Sequence, residues 1–142
     1  VDIHRAYSGQ PAPLGYGRGR PRPLFLGAAP KVVLASLPAA QLRRLLEQQA
    51  DAAAAAGLPA DWPAQRRHFA RIRQAGSYVS IGELEPALGA VAAPLVLAGG
   101  RVLGAISLVT TVQRLALLDQ DKLAQLVRRT AGEITARVDA GG

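Results

Sequence analysis

A chain of 142 residues, 49% hydrophobic and 19% charged, is long enough to close one core and too apolar to stay unfolded, which excludes a disordered segment and predicts a single domain. It contains no cysteine, so neither a disulfide framework nor a thiolate metal site holds it together, and a reducing cytoplasmic location is expected. The formal net charge of +7 invites a nucleic-acid reading. It is almost all arginine, however, with Lys31 and Lys122 the only lysines, and together with the excess of alanine it reads first as the codon bias of a GC-rich genome.

No apolar run approaches the roughly 18 to 20 residues of a membrane helix, and no basic segment followed by an apolar stretch opens the chain, so no membrane contact is expected. The chain begins at Val1 and not at Met, as expected of a fragment with a segment missing upstream. From Tyr7 to Pro23 glycine and proline recur too densely for a helix, which predicts loop or edge strand. Within it, Gly15-Tyr16-Gly17-Arg18-Gly19-Arg20-Pro21-Arg22 resembles an arginine-glycine nucleic-acid arm, and it lacks the strand-turn-helix setting of a dinucleotide fingerprint. It reads as a hairpin tip joining two N-terminal strands, with its arginines solvated.

A first helix is predicted near Pro30, where Lys31-Val32-Val33-Leu34-Ala35 follows a residue suited to a first turn. A second begins at Pro38, with Leu42, Leu45, Leu46 and Gln49 on one face and Arg43, Arg44, Glu47 and Gln48 on the other. Ala52 to Ala56 favours helix and Gly57-Leu58-Pro59 ends it. Asp61 then caps a third helix that carries Trp62, Phe69 and Ile72 and stops at Gly76. Beyond it the period changes: Tyr78 to Glu83 is extended, and Leu88 to Leu97 and Arg101 to Thr110 form a hairpin around Gly99-Gly100. Both hairpin strands are apolar at nearly every residue, so both sheet faces should be covered, one by the C-terminal helix and the other by the earlier helices or a partner. Asp119 caps that last helix, whose stripe runs through Leu123, Leu126, Val127, Ala131, Ile134 and Val138. Helices, an antiparallel sheet and a closing helix make an α+β architecture.

Chemistry-bearing residues are sparse. Glu83 and Glu85 lie two apart in an extended stretch, hence on one face, but fixing a turn or a subunit contact accounts for them without acid–base catalysis. His4 and His68 have no neighbouring nucleophile or ligand set and read as surface or packing residues. Arg66, Arg67, Arg71 and Arg73 form a basic surface on the third helix, read as solvated. There is no G-x-S-x-G elbow, no phosphate-binding loop and no metal-ligand spacing, so no catalytic residue, metal or cofactor is expected and the chain is not read as an enzyme.

Three blocks carry a family likeness. Leu24-Phe25-Leu26-Gly27-Ala28-Ala29-Pro30-Lys31-Val32-Val33-Leu34-Ala35 resembles the opening segment of the effector domain of IclR-type bacterial transcription regulators. Ile72 to Pro86 is similar to that family's IRxxGyaxsxgElepG, followed by Val91-Ala92-Ala93-Pro94. Gly100 to Leu108 and Ala131-Gly132-Glu133-Ile134 match its next strand and last helix, in the same order. Several ordered blocks over about residues 24 to 138 are more specific than any short motif.

The resemblance implies a GAF-like domain, a curved antiparallel sheet flanked by helices. Residues 1–23 are then an N-terminal strand or loop segment of the domain, and residues 24–142 its effector-binding and oligomerisation part. It also implies a small organic acid as effector, a homodimer or homotetramer, and DNA contact only through a winged helix-turn-helix domain not present in this chain. Carried over by motif, the ligand-binding positions are Ala28, Ala29, Ser80, Leu88, Ala90, Ser107 and Val109. Helix N-termini hold carboxylates through unpaired backbone N–H groups, so no basic side chain is required. Three residues depart from the family pattern: Pro30 removes one possible donor, Ser80 stands where an acid is common, and Val109 replaces a small or polar residue. The remaining wall, with Phe25, Leu26, Leu88, Ala90 and Val109, is more apolar and predicts a larger, greasier ligand, an aromatic or medium-chain carboxylic acid. The alternative is a ligand-free basic module contacting nucleic acid or a partner protein.

Overall fold

The centre of the molecule is an antiparallel sheet of three strands in the order β1-β2-β3. In the computed structural model, which describes residues 1–7, 9, 14 and 17–141, the elements run α1 (Ala28–Ala35), α2 (Ala39–Gln48), α3 (Ala50–Ala55), α4 (Trp62–Ala75), β1 (Tyr78–Ile81), β2 (Leu88–Val96), β3 (Val102–Thr111), α5 (Val112–Ala116) and α6 (Gln120–Gly141). The hairpin is where its β-branched runs predict it, closed by Leu97 N–H to the Arg101 carbonyl at 2.9 Å and Gly100 N–H to the Leu97 carbonyl at 2.8 Å.

Strand alternation sorts the sheet's side chains into two cores. Val91, Ala93 and Leu95 of β2, with Ile106 and Leu108 of β3, pack against Leu123, Val127 and Ala131 of α6. Ala90 and Ala92, with Ala105 of β3, turn the other way into a cluster formed by Phe25, Val32, Leu34, Leu42, Leu46, Phe69 and Ile72. Both faces are thus packed by this chain's own helices, α6 on one and α1, backed by α4, on the other. Small residues on β2 let α1 approach the sheet closely, which brings the start of α1 to the strand ends that form the site.

Local chemistry sets the helix ends. The Asp61 carboxylate accepts from Ala64 N–H at 2.9 Å to start α4, and Gly76 ends it in the left-handed region at φ 69°, a conformation with a steric penalty for residues bearing a Cβ. Asp119 accepts from Lys122 N–H at 3.1 Å to open α6. At the other end of that helix Asp139 accepts from Ala98 N–H at 3.0 Å, tying α6 to the tip of the hairpin.

Four features differ from the expectations. No strand occurs among the described residues before α1; there, Gly19 N–H donates to the Asp2 carbonyl at 2.7 Å. Ser8, Gln10 to Pro13, Gly15 and Tyr16, including the head of the arginine-glycine stretch, lie outside the described residues. The helical run is broken at Gln49, so α2 and α3 are separate. Helix α5 was not anticipated, because five residues are too few to show a period; Thr111 caps it by accepting from Arg114 N–H at 3.2 Å. Finally, Leu126 and Val138 are exposed, and α6 buries a narrower face in which Thr135 takes part. The Thr135 hydroxyl is satisfied by the Ala131 carbonyl at 3.0 Å.

Helix α5 has one structural consequence for the sheet. Its Leu115 is buried against β2 so closely that a Cβ at Gly89 would lie 2.5 Å from Leu115 Cδ2 and 3.3 Å from the Ser80 carbonyl oxygen. Gly89→Ala is therefore expected to lower stability by about 1 to 3 kcal/mol through overpacking, read as a reduced urea midpoint with an unchanged slope.

Candidate functional site

The pairing register brings the candidate residues together. Ser80 of β1 sits opposite Ala90 of β2, and Ala90 opposite Val109 of β3. One step along, Ser107 pairs with Ala92 and points to the same face. Above this face stands the N-terminus of α1. Between them is a small cavity with about 370 Å³ of space outside the atoms, part of it open to solvent. Ala28, Ala29, Ser80, Leu88, Ala90, Ser107 and Val109, the seven positions named from the sequence, all line it.

The entrance of α1 has unusual capping. Gly27 occupies the N-cap at φ 99°, ψ 169°, where glycine is favoured, and supplies no side chain to the first turn. The first-turn N–H groups therefore receive no capping side chain from the N-cap residue, and Ala28 and Ala29 stand in the cavity wall. Such groups carry the positive end of the helix dipole. The wall also contains Arg22, Gly27, Leu84, Glu85 and Gly89.

Arg22 corrects the expectation of a solvated arm, because it is half-buried and takes part in the cavity wall. Pro21 and Pro23 hold the backbone around it extended, but a wall residue brought in by an irregular segment leaves no periodic signal. Glu85 is the acidic counterpart of Arg22 in the wall.

A buried polar network fixes the rim. Lys31 of α1, whose side chain is 4% exposed, donates from Nζ to Glu83 Oε1 at 2.8 Å. Tyr78 of β1 donates to Glu83 Oε2 at 2.7 Å, and Gly27 N–H approaches Oε1 at 3.5 Å. The ammonium also lies 5.0 Å from the centre of the Tyr78 ring. Burial pushes the Glu83 carboxyl up, but the Lys31 and Tyr78 hydrogen bonds and the Lys31 charge outweigh it and hold the group below its usual range. Burial, reinforced by Glu83, raises the Tyr78 phenol and keeps it a donor. Glu83 thus binds the β1–β2 connection to α1, the bland role expected of it, and only Glu85 of the pair reaches the cavity.

His68, on α4, meets Phe69 edge-on with ring centroids 5.1 Å apart. Burial, then the charges of Lys31 and Arg71, lower its pKa, which favours the neutral ring. Its Nε2 is enclosed without a hydrogen-bond partner, consistent with packing. His4 is exposed. Among the described residues no group of three His, Asp, Glu or Cys side chains is placed to hold a metal, and no helix is long and apolar enough to cross a membrane.

A three-stranded antiparallel sheet covered by helices on both faces, with a cavity between the sheet and a helix N-terminus, defines the class as α+β and GAF-like. The family model described as "Bacterial transcriptional regulator IclR C-terminal" matches residues 12–136. The chain belongs to that family.

Solved structures agree. The C-terminal domain of a transcriptional regulator from Vibrio cholerae superposes with a TM-score of 0.74 at 27% identity, over 91% of this chain and 74% of that one. A transcriptional regulator from Rhodococcus sp. RHA1 gives 0.73 at 25% identity, over 93% of this chain and 54% of that one. The fold is shared as well by the inducer-binding domain of the PobR transcription factor from Acinetobacter, solved as a double mutant with 3-hydroxybenzoic acid, at a TM-score of 0.68 and 22% identity over 90% of this chain and 74% of that one. Among curated proteins none matches the chain.

Proposed function

We propose that this chain is the effector-sensing and self-association domain of its regulator, and that it binds a small carboxylic acid at the N-terminus of α1. The observation that carries the reading is the convergence of all seven motif-derived positions on one cavity beneath the uncapped Ala28 and Ala29 N–H groups. The carboxylate would meet those N–H groups and Arg22, with the Ser107 hydroxyl as a further donor. Leu84, Leu88 and Val109 supply an apolar wall for the remainder of the molecule. Such a wall suits an aromatic or medium-chain acid, for which the enclosed part of the cavity would have to widen.

The acid acts as a switch by binding two arrangements of a homodimer or tetramer with different affinities, and so repositions operator-binding winged helices upstream. The domain performs no catalysis in this reading. Its place of action is the cytoplasm, where such regulators meet both metabolites and DNA.

A panel of aliphatic and aromatic carboxylic acids, added during thermal unfolding, tests the site. An acid at about 100 times its dissociation constant should add roughly 2.7 kcal/mol to the stability of the native state. Ser107→Leu should abolish that gain, because its side chain enters the cavity. A flat response across the panel would overturn the reading and leave an oligomerisation module.

A further inference from the structure

We propose that the outer face of α4 is a docking surface for the phosphate backbone of duplex DNA, so that this domain contributes its own contact to the nucleic acid. The basic excess is concentrated there: Trp62–Ala75 holds four arginines, Arg66, Arg67, Arg71 and Arg73, and no acidic residue. All four are exposed. The inner face of the helix is committed to the core through Gln65, Phe69 and Ile72, and at 100° per residue Arg67 and Arg71 fall opposite that face while Arg66 and Arg73 lie along its edge, so the four cations span about 160° of the helix surface.

Among the described residues none of them is held by an acidic partner, in contrast to three other cations of the chain. Arg5 is paired with Asp2, Lys31 with Glu83 and Arg43 with Glu47. Among the described residues, none of the α4 arginines is in an ion pair, and Asp61 at the start of the helix is occupied in capping Ala64 N–H. Arg128 of α6 reaches the C-terminal end of α4, donating to the Ala75 carbonyl at 3.3 Å and to Ser77 Oγ at 3.0 Å, and so adds a fixed charge there.

Spacing fits the partner. From Arg66 to Arg73 the helix rises about 10 Å, the length of duplex axis over which one strand places about three phosphates, at about 3.4 Å of axis each. Guanidinium groups match phosphate oxygens through paired N–H donors. Backbone contact of this kind adds affinity without reading bases. The proposal requires no effector, so its failure and that of the acid-binding site are separately visible.

The test is fluorescence anisotropy of a labelled mixed-sequence duplex titrated with this 142-residue chain at several salt concentrations. Four neutralised phosphates predict a slope of log affinity against log salt near −3.6, or roughly a hundredfold weakening from 50 to 200 mM salt. Changing Arg66, Arg67, Arg71 and Arg73 together to Gln should remove that binding, whereas the same four changed to Lys should retain most of it. Arg18, Arg20, Arg101 and Arg137 are also exposed, and their joint change to Gln deletes the same charge while leaving binding in place. Equal loss in both glutamine sets would reduce the effect to net charge and overturn the proposal, as would no binding at 50 mM salt. Tighter capture of poly-L-glutamate than of duplex at equal salt would assign the face to an acidic protein instead.

Discussion

Replacing Glu83 with alanine is expected to destabilise the domain by about 3 kcal/mol, the lower end of the penalty for breaking a buried ion pair, because Lys31 is buried and Glu83 only partly so. The loss is large because Lys31 stays behind with its side chain 4% exposed and no other carboxylate hydrogen-bonded to it among the described residues. The Tyr78 hydroxyl loses its acceptor at the same time. Lys31→Met combined with Glu83→Gln should recover most of the stability, since the amide oxygen still accepts from Tyr78 and no buried cation remains. Full loss in the double variant would show that the pair matters through packing and not charge. Because Glu83 also anchors the β1–β2 connection over the cavity, Glu83→Ala should weaken any acid-induced stabilisation.

The same network sets a pH dependence. Glu83 titrates below its ordinary value in the folded chain, so the unfolded chain takes up its proton first as pH falls. Its contribution is therefore present above about pH 4.3, the usual glutamate range, and is lost as pH drops through the lowered folded value. His68 acts with the same sign at higher pH, because its folded pKa is also lowered. Its share declines from about pH 6.5 downward. Urea midpoints between pH 8 and pH 3 should fall in two stages, and Glu83→Gln should remove the lower one. A midpoint that rises on acidification would contradict both assignments.

The second large effect is Phe69→Ala, expected to lower stability by about 3 to 5 kcal/mol. Phe69 is 2% exposed and joins α4 to the cluster of Phe25, Val32 and Leu42 beneath α1. Removing the ring leaves a void between α4 and α1 that the sheet cannot fill, since β2 contributes only the small side chains Ala90 and Ala92 to that cluster. Phe69→Leu should lose less than half as much. If Phe69→Ala changes the unfolding midpoint by under 1 kcal/mol equivalent, α4 does not pack on α1 as described.

Periodicity and capping chemistry made much of this architecture legible before any coordinates. Asp61 and Gly76 bracket α4, and Asp119 opens α6, because a cap needs only one side chain and one neighbouring N–H, or one residue free to take positive φ. The hairpin of β2 and β3 follows from two β-branched runs around a glycine pair, and the apolar character of both faces of its strands predicts helices on either side. Ordered motif blocks carried the family and named seven of the twelve residues that line the cavity.

What the amino-acid sequence determined by itself is thus local: where helices start and stop, which strands pair, and which family the chain joins. These depend on contacts within a few residues or on a repeated spacing. Tertiary structure alone decided that Arg22 enters the cavity wall, that Lys31 and Tyr78 converge on Glu83, and that Leu115 presses on Gly89. Each joins residues far apart in the chain or arises in an irregular segment, and neither spacing nor propensity records it. The width of the α6 contact was settled in the same way. The sheet meets only one narrow face of the helix, through Val91, Ala93, Leu95, Ile106 and Leu108, leaving Leu126 and Val138 outside although the sequence places them on the apolar stripe.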